Sequence, residues 1–305
     1  MHVACRSSGR RLVPPLNSNV GRLGRFGRLD VHMCEMVSPD LSGVAETLLI
    51  TLYIRAIESQ RPDALIKDEK AVALVKQISY DFARVRQFPL SEANKLVIIL
   101  RYREFDRYAR DFVARHPDAV VVHIGCGLDS RFERVAERNS QVEWYDLDLP
   151  EVIELRRKFI GGEEGHYHLL GCSVLDNSWL EAVSAHRQRP FLFLAEGVST
   201  HLTEAENKSL VRTLHDHFPG AELVFDAVSP FELWLGNLQA SRSPFVARGH
   251  SGIWHGREIE GWADGVRLLD EWGYFDPLEP RLAHIRWLRP LEAALRTLRI
   301  YHFRL

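Results

Sequence analysis

The sequence predicts an α/β fold with a doubly wound parallel sheet. Short, continuously apolar runs such as residues 119–125 are typical of strands that are buried on both faces of a sheet. Most of these runs are followed by a segment in which apolar residues recur at helical spacing. Repeated strand–helix units of this kind favour parallel strands joined by right-handed crossovers.

Three helices are predicted before the first strand. Residues 42–59 have a candidate N-cap in Ser42 and apolar residues at helical spacing. Residues 68–78 and 91–116 show the same spacing, and the last of these helices is expected to end before Pro117.

From residue 119 onward, strands and helices alternate. After the first strand, further strands are predicted at residues 141–149, 166–172, 190–197 and 221–228. Helices are predicted at residues 129–139, 150–160, 177–187 and 203–218. Two more strand candidates, residues 266–275 and 298–305, have one long segment between them. A long, aromatic-rich segment at about 230–262 breaks the alternation, and it is either a lid-like insertion over a pocket or surface decoration.

The domain organisation expected from these patterns is a single domain over residues 41–305. Within it, a helical cap (41–116) precedes the sheet-forming core (117–305). Residues 1–40 differ, because Arg, Gly and Pro are frequent there and the apolar core of a secretory signal is lacking. We expect these residues to be a disordered leader or the product of a start assigned too far upstream; a targeting segment is the alternative.

The composition is that of an ordinary globular protein, with 305 residues, 46% of them hydrophobic, and a formal net charge of −2. A near-neutral balance gives no electrostatic reason to expect nucleic acid or a membrane surface as a partner. No apolar run approaches the roughly eighteen residues that cross a bilayer. The four cysteines are scattered without a CxxC pair, which suits a cytoplasmic location.

A glycine pair, Gly125 and Gly127, ends the first strand of the sheet. Ligands of open α/β sheets bind beyond the carboxyl ends of the strands, and glycine lets a ligand approach the main chain. A dinucleotide fingerprint needs a third glycine at the helix start, where this chain has Leu128, Asp129 and Ser130. Asp129 there would also repel a phosphate. The loop therefore predicts a cofactor without phosphate.

Two acids, Asp146 and Asp148, lie at the end of the second strand, about twenty residues after the glycines. They point to the same side of the strand, so either can accept hydrogen bonds from two ribose hydroxyls. Glycines for close approach, an acid for ribose and no phosphate site together indicate S-adenosylmethionine. An NAD-dependent dehydrogenase is the alternative that the missing third glycine disfavours.

The longer motifs resemble a known family. Residues 120–135 (VVVHIGCGLDSRFERV) and 143–159 (EWYDLDLPEVIELRRKF) closely resemble the leucine carboxyl methyltransferase superfamily, in particular its tetracenomycin-type polyketide O-methyltransferases. The likeness runs from about Leu41 to the C-terminus. It implies a class I methyltransferase fold: a Rossmann-like sheet of seven strands, the last antiparallel, with extra N-terminal helices over the site.

The resemblance also implies the activity, which is O-methylation of a small molecule such as a polyketide with S-adenosylmethionine as cofactor. A protein C-terminal carboxylate is the alternative acceptor. A protein that binds the cofactor without catalysis is the alternative from another functional class, because a fold does not fix a function.

Cofactor contacts follow from the resemblance residue by residue. Arg101 matches the arginine that binds the methionine carboxylate, and its fork suits a bidentate anion. Glu196 matches an acid near the cationic methionine end. The other matched positions are a lysine near the site, the motif glycine, the ribose acid and two residues at the adenine edge: Lys67, Gly125, Asp148, Ser173 and Val174.

The acceptor side departs from the family, because Thr200 and His201 stand where relatives often carry a Met-Tyr pair. The acceptor is therefore expected to differ from theirs. A carboxylate acceptor is ionised at neutral pH and needs no base, whereas a phenol with a pKa of about 10 needs one. His201 is the candidate base for that case.

No metal site is predicted. His215 and His217 lie two apart on a helix and face different ways, and His166 and His168 share a strand face without a third ligand. Asp226, at the end of the fifth strand, is expected to cap the following segment, with a catalytic role as the alternative.

Overall fold

Helices precede the sheet, as predicted. The computed structural model describes residues 44–82, 91–136, 141–241, 248–275 and 279–305. Within these ranges the first helices are α1 (Val44–Ser59), α2 (Glu69–Gln77) and α3 (Glu92–Arg115). Asp68 caps α2 and Ser91 caps α3, each through its side chain. The predicted N-cap Ser42 and the leader at 1–40 lie outside the described residues, so the predicted domain boundary stays a prediction.

The described strands form one seven-stranded sheet. They are β1 (Val120–Ile124), β2 (Glu143–Asp148), β3 (Tyr167–Gly171), β4 (Phe191–Ala195), β5 (Glu222–Val228), β6 (Arg267–Trp272) and β7 (Leu298–Arg304). Their order across the sheet is β3-β2-β1-β4-β5-β7-β6. Strand β1 pairs in parallel with β2 and β4, whereas β7 pairs antiparallel with β5 and β6. The strand order reverses between β1 and β4, and the last strand is antiparallel, which confirms the fold class.

Helices and turns connect the strands. The helices are α4 (Arg131–Val135), α5 (Pro150–Phe159), α6 (Ser178–Ser184), α7 (Glu204–His217), α8 (Pro230–Ala240), α9 (Arg257–Glu260) and α10 (Arg289–Leu295). Two 3-10 segments span Ser199–His201 and Pro280–Leu288. Among the described helices, none is both long and apolar enough to cross a membrane.

The side chains of β1 are buried in two separate core layers. Val120, Val122 and Ile124 pack in the cluster that contains Phe193. Val121 packs in the opposite cluster with residues that include Phe105, Phe112 and Trp144. Because both faces of the strand are covered, the sequence shows a continuous apolar run there and no alternation. The sheet is thereby fixed on both sides, and its carboxyl edge presents the loops.

Helix α4 is shorter than predicted, since it begins at Arg131 and ends at Val135, whereas helical spacing suggested residues 129–139. Ser130 precedes it without capping it; the Ser130 hydroxyl donates to Asp68 Oδ1 at 2.6 Å and accepts from Arg134 Nη1 at 3.3 Å. The predicted insertion contains α8 and α9, and residues 242–247 within it are not among those described. Its role as a lid stays a prediction.

Candidate active site

The glycine loop after β1 adopts a backbone that requires glycine. Gly125 has φ +65° and Gly127 has φ +51°, both in the left-handed region. A Cβ at Gly125 would lie 2.4 Å from Val198 Cγ2, and one at Gly127 would lie 2.8 Å from Leu48 Cδ2. The loop therefore packs against its neighbours on the side where any other residue would carry a side chain.

Asp148 is bound to this loop. Its Oδ2 accepts from the main-chain N–H of Gly127 at 2.7 Å, and its Oδ1 accepts from Leu149 N–H at 2.7 Å. Burial raises the pKa of Asp148. The two main-chain hydrogen bonds lower it, but they offset the effect of burial only in part. Since each carboxylate oxygen has more than one acceptor position, Asp148 can still accept from a ribose diol. The structure thus joins two predicted site residues, Gly127 and Asp148.

Asp146 has a different environment, although it lies on the same strand. It is 1% exposed, and its carboxylate pairs with Arg156 and accepts from Tyr167 Oη at 2.6 Å and Trp144 Nε1 at 2.9 Å. Burial favours the neutral acid, but Arg156, His123 and Tyr167 together outweigh burial and lower the pKa of Asp146. Its oxygens are used within the protein, so of the two predicted acids only Asp148 is placed for a ligand.

Two exposed apolar side chains lie on the segments that follow β2 and β3, and the sequence interpretation missed them. Leu149 is 37% exposed and Leu175 is 43% exposed. Leu175 follows Ser173 and Val174 in the loop after β3, whose first residue bonds to the Asp148 carbonyl. Ser173 accepts from the Leu175 N–H, and Val174 is half-buried against the core. The predicted adenine-edge residues therefore lie in the loop that is bonded to the main chain of Asp148.

Arg101 links α3 to two strands at the other end of the site. Its Nε donates to Glu196 Oε1 and its Nη1 donates to Asp226 Oδ2, each at 2.9 Å. Asp226 Oδ1 accepts from the Gly197 N–H at 2.6 Å. Asp226 was expected to cap the segment after β5, but Ser229 caps α8 instead. Asp226 therefore belongs to the site, together with the predicted Arg101 and Glu196.

A buried ion network lies beneath the glycine loop. Glu196 Oε2 accepts from Arg131 Nη2 at 2.6 Å, and Arg131 is fully buried. The other members of the network are the acids Asp68, Asp106 and Asp129 and the arginines Arg55 and Arg134. These pairs connect α1, α3, the loop and β4, so the network fixes the loop relative to the helical cap.

Asp129 lies in this network, which corrects one step of the sequence interpretation. It was expected to repel a phosphate at the helix start. Burial would raise the pKa of Asp129, but Arg131, Arg134 and Arg55 outweigh burial and hold the pKa well below its ordinary value. Its charge is compensated inside the protein, so Asp129 is no argument against a phosphate.

Arg156 also holds the loop. Its Nη1 donates to the carbonyl oxygens of Gly127 at 2.8 Å and Asp129 at 2.7 Å, while its other end pairs with Asp146. No sequence motif signals this role, because the partners lie on separate elements. A buried arginine that binds main-chain carbonyls fixes the loop before any ligand arrives.

Lys67 is placed elsewhere. It is exposed, and its ammonium donates to the carbonyl oxygens of Ser59 at 2.9 Å and Arg61 at 3.1 Å. These carbonyls lie at and beyond the C-terminus of α1, where a cation stabilises the helix end. In the part of the chain described, no hydrogen bond or ion pair joins Lys67 to the glycine loop, and its predicted contact with the cofactor stays a prediction.

His201 ends the 3-10 segment that follows Gly197. It is exposed, yet partial desolvation of its ring lowers its pKa below the ordinary histidine value. Asp226 opposes this effect and His250 adds to it. His201 thus lies on the loop that also carries Glu196, on the side of β5.

Of the four histidines considered as metal ligands, three bind within the protein, whereas Nδ1 of His215 is buried without a hydrogen-bond partner among the described residues. His166 and His168 both contact Glu143, at 2.7 and 2.8 Å, and His217 contacts the Thr213 carbonyl at 2.8 Å. Among the described residues, no group of three or more His, Cys, Asp or Glu side chains could hold a metal ion.

The site fits the S-adenosylmethionine that the resemblance implies. Asp148 has acceptor positions for a ribose diol, and Arg101 has a fork for a carboxylate. Glu196 and Asp226 both bind Arg101, and Glu196 also pairs with the buried Arg131. The resemblance implies that Glu196 lies near the cationic end of the cofactor, and the carboxylate of Asp226 binds the same arginine.

Comparison with known proteins supports this interpretation. Residues 48–215 match the leucine carboxyl methyltransferase family. The chain is 37% identical to the tetracenomycin polyketide synthesis O-methyltransferase of Streptomyces glaucescens, over 81% of this chain and 88% of that protein. It is 31% identical to an S-adenosyl-L-methionine-dependent methyltransferase of Gibberella zeae, over 75% and 82% of the two chains.

A solved structure shares the fold. The chain matches a DUF574 family protein from Streptomyces avermitilis with a TM-score of 0.55 at 15% identity, over 85% of this chain and 96% of that one. At this identity the likeness concerns the fold alone. The family match and the sequence relatives carry the assignment, and the chain belongs to the leucine carboxyl methyltransferase family.

Proposed function

We propose that this protein transfers the methyl group of S-adenosylmethionine to an oxygen atom of a small acidic or phenolic molecule. The observation that carries the proposal is the pair of carboxylates, Glu196 and Asp226, that share Arg101 at the carboxyl edge of the sheet. Similarity to an O-methyltransferase of polyketide synthesis supports a small-molecule acceptor. When bound, the cofactor supplies a methyl group that a positively charged sulfur activates.

The residues of the chain mainly bind and orient the reactants. Asp148 and Arg101 hold the two ends of the cofactor, and the buried network keeps their supporting loops in place. Alignment of donor and acceptor can lower the activation free energy by several kcal/mol. Well-oriented intramolecular reactions reach about 7–11 kcal/mol. Exclusion of water strengthens these electrostatic contacts.

The chemical nature of the acceptor decides whether His201 is needed. A carboxylate is ionised at neutral pH and reacts without a base, whereas a phenol must lose a proton. Desolvation lowers the pKa of His201 and so favours the neutral ring, which is the form that accepts a proton. We propose His201 as that base for a hydroxyl acceptor.

The setting that we propose is cytoplasmic, with a small molecule as the partner. The described residues contain no helix that could span a membrane. A protein C-terminal carboxylate is the rival acceptor, and cofactor binding without turnover is the rival function.

The test is transfer of a labelled methyl group from S-adenosylmethionine to three acceptor panels: aromatic polyketide acids, phenols without a carboxylate, and peptides ending in a free leucine carboxylate. We expect label in one of the first two. Label in the peptides alone would identify a protein-modifying enzyme. Label in none, together with calorimetric binding of S-adenosylhomocysteine, would favour a protein that binds without turnover.

A further inference from the structure

Asp226 is an acid of the site for which neither the sequence patterns nor the resemblance gives a role towards the cofactor. It is 4% exposed and lies on β5, next to β4 in the sheet. One oxygen is anchored to the main chain at Gly197, and the other accepts from Arg101 Nη1. Its carboxylate therefore connects the loop after β4 to the arginine from α3.

Glu196 cannot orient Arg101 alone. Its Oε1 contacts only Nε of Arg101, and its Oε2 is bound to the buried Arg131. A guanidinium held by one nitrogen can turn about that contact, whereas two contacts on Nε and Nη1 fix its plane. Asp226 supplies the second contact.

The remaining nitrogen of Arg101 is left for a ligand. Nη2 lies 3.9 Å from the position that a Cβ of Gly197 would take, beside the loop after β4. Within the described chain Nη2 donates no hydrogen bond to another residue, and the Arg101 side chain is 19% exposed. The N–H groups of Nη2 thus form the open edge of the fork.

We propose that Asp226 is a positioning residue, which holds the Arg101 guanidinium so that its open edge binds the amino-acid carboxylate of the cofactor. The proposal rests on S-adenosylmethionine being the cofactor and does not depend on the acceptor. Burial raises the pKa of Asp226, although Arg101 acts in the opposite direction. The charge of Arg101 therefore offsets the cost of burying the Asp226 carboxylate only in part. This agrees with a guanidinium whose charge is shared between two carboxylates.

The test measures ligand affinity by calorimetry in the full chain, for wild type, Asp226→Asn and the exposed control Asp216→Asn. Three ligands are compared. S-adenosylhomocysteine carries both amino-acid groups, decarboxylated S-adenosylmethionine keeps the ammonium but lacks the carboxylate, and methylthioadenosine lacks both. We expect Asp226→Asn to weaken S-adenosylhomocysteine roughly 10- to 100-fold, because a charge-assisted contact is disturbed. The affinity of Asp226→Asn for the other two ligands should differ from that of wild type by less than about twofold. The affinity of Asp216→Asn should stay within the same limit for all three ligands.

Several results overturn the proposal. One is equal affinity of wild type and Asp226→Asn for S-adenosylhomocysteine. Another is an equal loss with decarboxylated S-adenosylmethionine, which would mean that Asp226 contacts the ammonium directly. If Asp226→Asn does not fold, Asp226→Glu keeps the charge and displaces it; unchanged affinity of that variant for S-adenosylhomocysteine would also contradict precise positioning. Failure of wild type itself to bind S-adenosylhomocysteine would instead remove the cofactor assignment, and the proposal with it.

Discussion

The main-chain N–H of Gly127 donates to the carboxylate of Asp148 at 2.7 Å, so the loop after β1 and the end of β2 form one unit. Oδ1 of the same acid accepts from the Leu149 N–H, and the carboxylate is thus oriented before a ligand binds. Preorganisation of this kind lowers the entropy that binding must overcome. The contact also explains why a glycine pair and an acid on the next strand together predict a ribose site.

Asp148→Asn should weaken the binding of both S-adenosylhomocysteine and methylthioadenosine by roughly 10- to 100-fold, because both ligands contain the ribose. The amide also loses one of the two acceptor oxygens that bind main-chain N–H groups. Isothermal titration calorimetry measures the effect, with the exposed Glu151→Gln as control. Wild-type affinity of Asp148→Asn for methylthioadenosine would show that this acid does not bind the ribose.

Gly125→Ala should destabilise the fold by about 2–4 kcal/mol and abolish cofactor binding, because φ is positive there and the new Cβ would lie 2.4 Å from Val198 Cγ2. Denaturant unfolding checks the loss. Gly162→Ala is the control, since a Cβ there meets nothing within 4 Å. Adding Val198→Ala to Gly125→Ala should restore part of the stability. A double variant no more stable than Gly125→Ala would count against the steric cause.

His201→Gln should slow transfer to a hydroxyl acceptor about 100-fold or more and leave transfer to a carboxylate acceptor nearly unchanged. The acid limb of kcat/KM for the hydroxyl acceptor should have an apparent pKa below 6.5, because desolvation lowers the pKa of His201. Steady-state rates between pH 5 and 9 test both points, with His217→Gln on the exposed end of α7 as control. An unchanged hydroxyl rate in His201→Gln would exclude the proposed base.

The sequence predicts those parts of this molecule in which neighbouring residues determine the structure. The continuous apolar run of β1 and the positive-φ glycines after it are local features, so the strand and its loop were predictable. Arg131, Arg156 and Asp226 were missed or misinterpreted because their partners come from distant elements. A single sequence does not show that Arg131 meets Glu196, or that Arg156 binds the carbonyl of Gly127.

The placement of Lys67 and Asp146 shows a second limit. The family resemblance implied a cofactor contact for Lys67, and the position at the end of a strand suggested one for Asp146. Lys67 instead binds carbonyls beyond the end of α1, and Asp146 is used by Arg156. In each case a hydrogen-bond partner from a neighbouring element, which no sequence motif marks, binds the side chain.

Arg156→Met should destabilise the fold by about 3–5 kcal/mol, because it leaves the Asp146 carboxylate buried without its arginine and removes two bonds to the loop. The neighbouring Arg157→Met is the control. Arg157 is 42% exposed and pairs with Glu154 and Glu163 at the surface, so its loss should cost about 0.5 kcal/mol or less. Chemical denaturation of both variants gives the comparison; similar losses would show that burial of the ion pair is unimportant.

Glu222, at the start of β5, makes the fold sensitive to acid. It accepts from His302 at 2.7 Å and from Arg115 at 2.8 and 3.0 Å. Burial alone would raise its pKa, but these partners lower the pKa of Glu222 from 4.5 to about 2. Since the folded state favours the ionised acid, its stabilisation is complete above pH 4.5 and is lost as the pH falls towards 2.

Glu222→Gln should therefore reduce the unfolding free energy at pH 7 by about 1–2 kcal/mol. This figure is kept small because Arg115 is partly exposed and solvent screens its charge. The difference in unfolding free energy between wild type and variant should shrink between pH 4.5 and 2. In this range wild type loses the stabilisation from ionised Glu222, which the variant lacks at every pH. Urea unfolding at half-unit pH steps over this range measures both curves. The exposed Glu204→Gln is the control and should follow wild type. A constant difference across the whole range would mean that Glu222 stabilises the fold through packing and not through its charge.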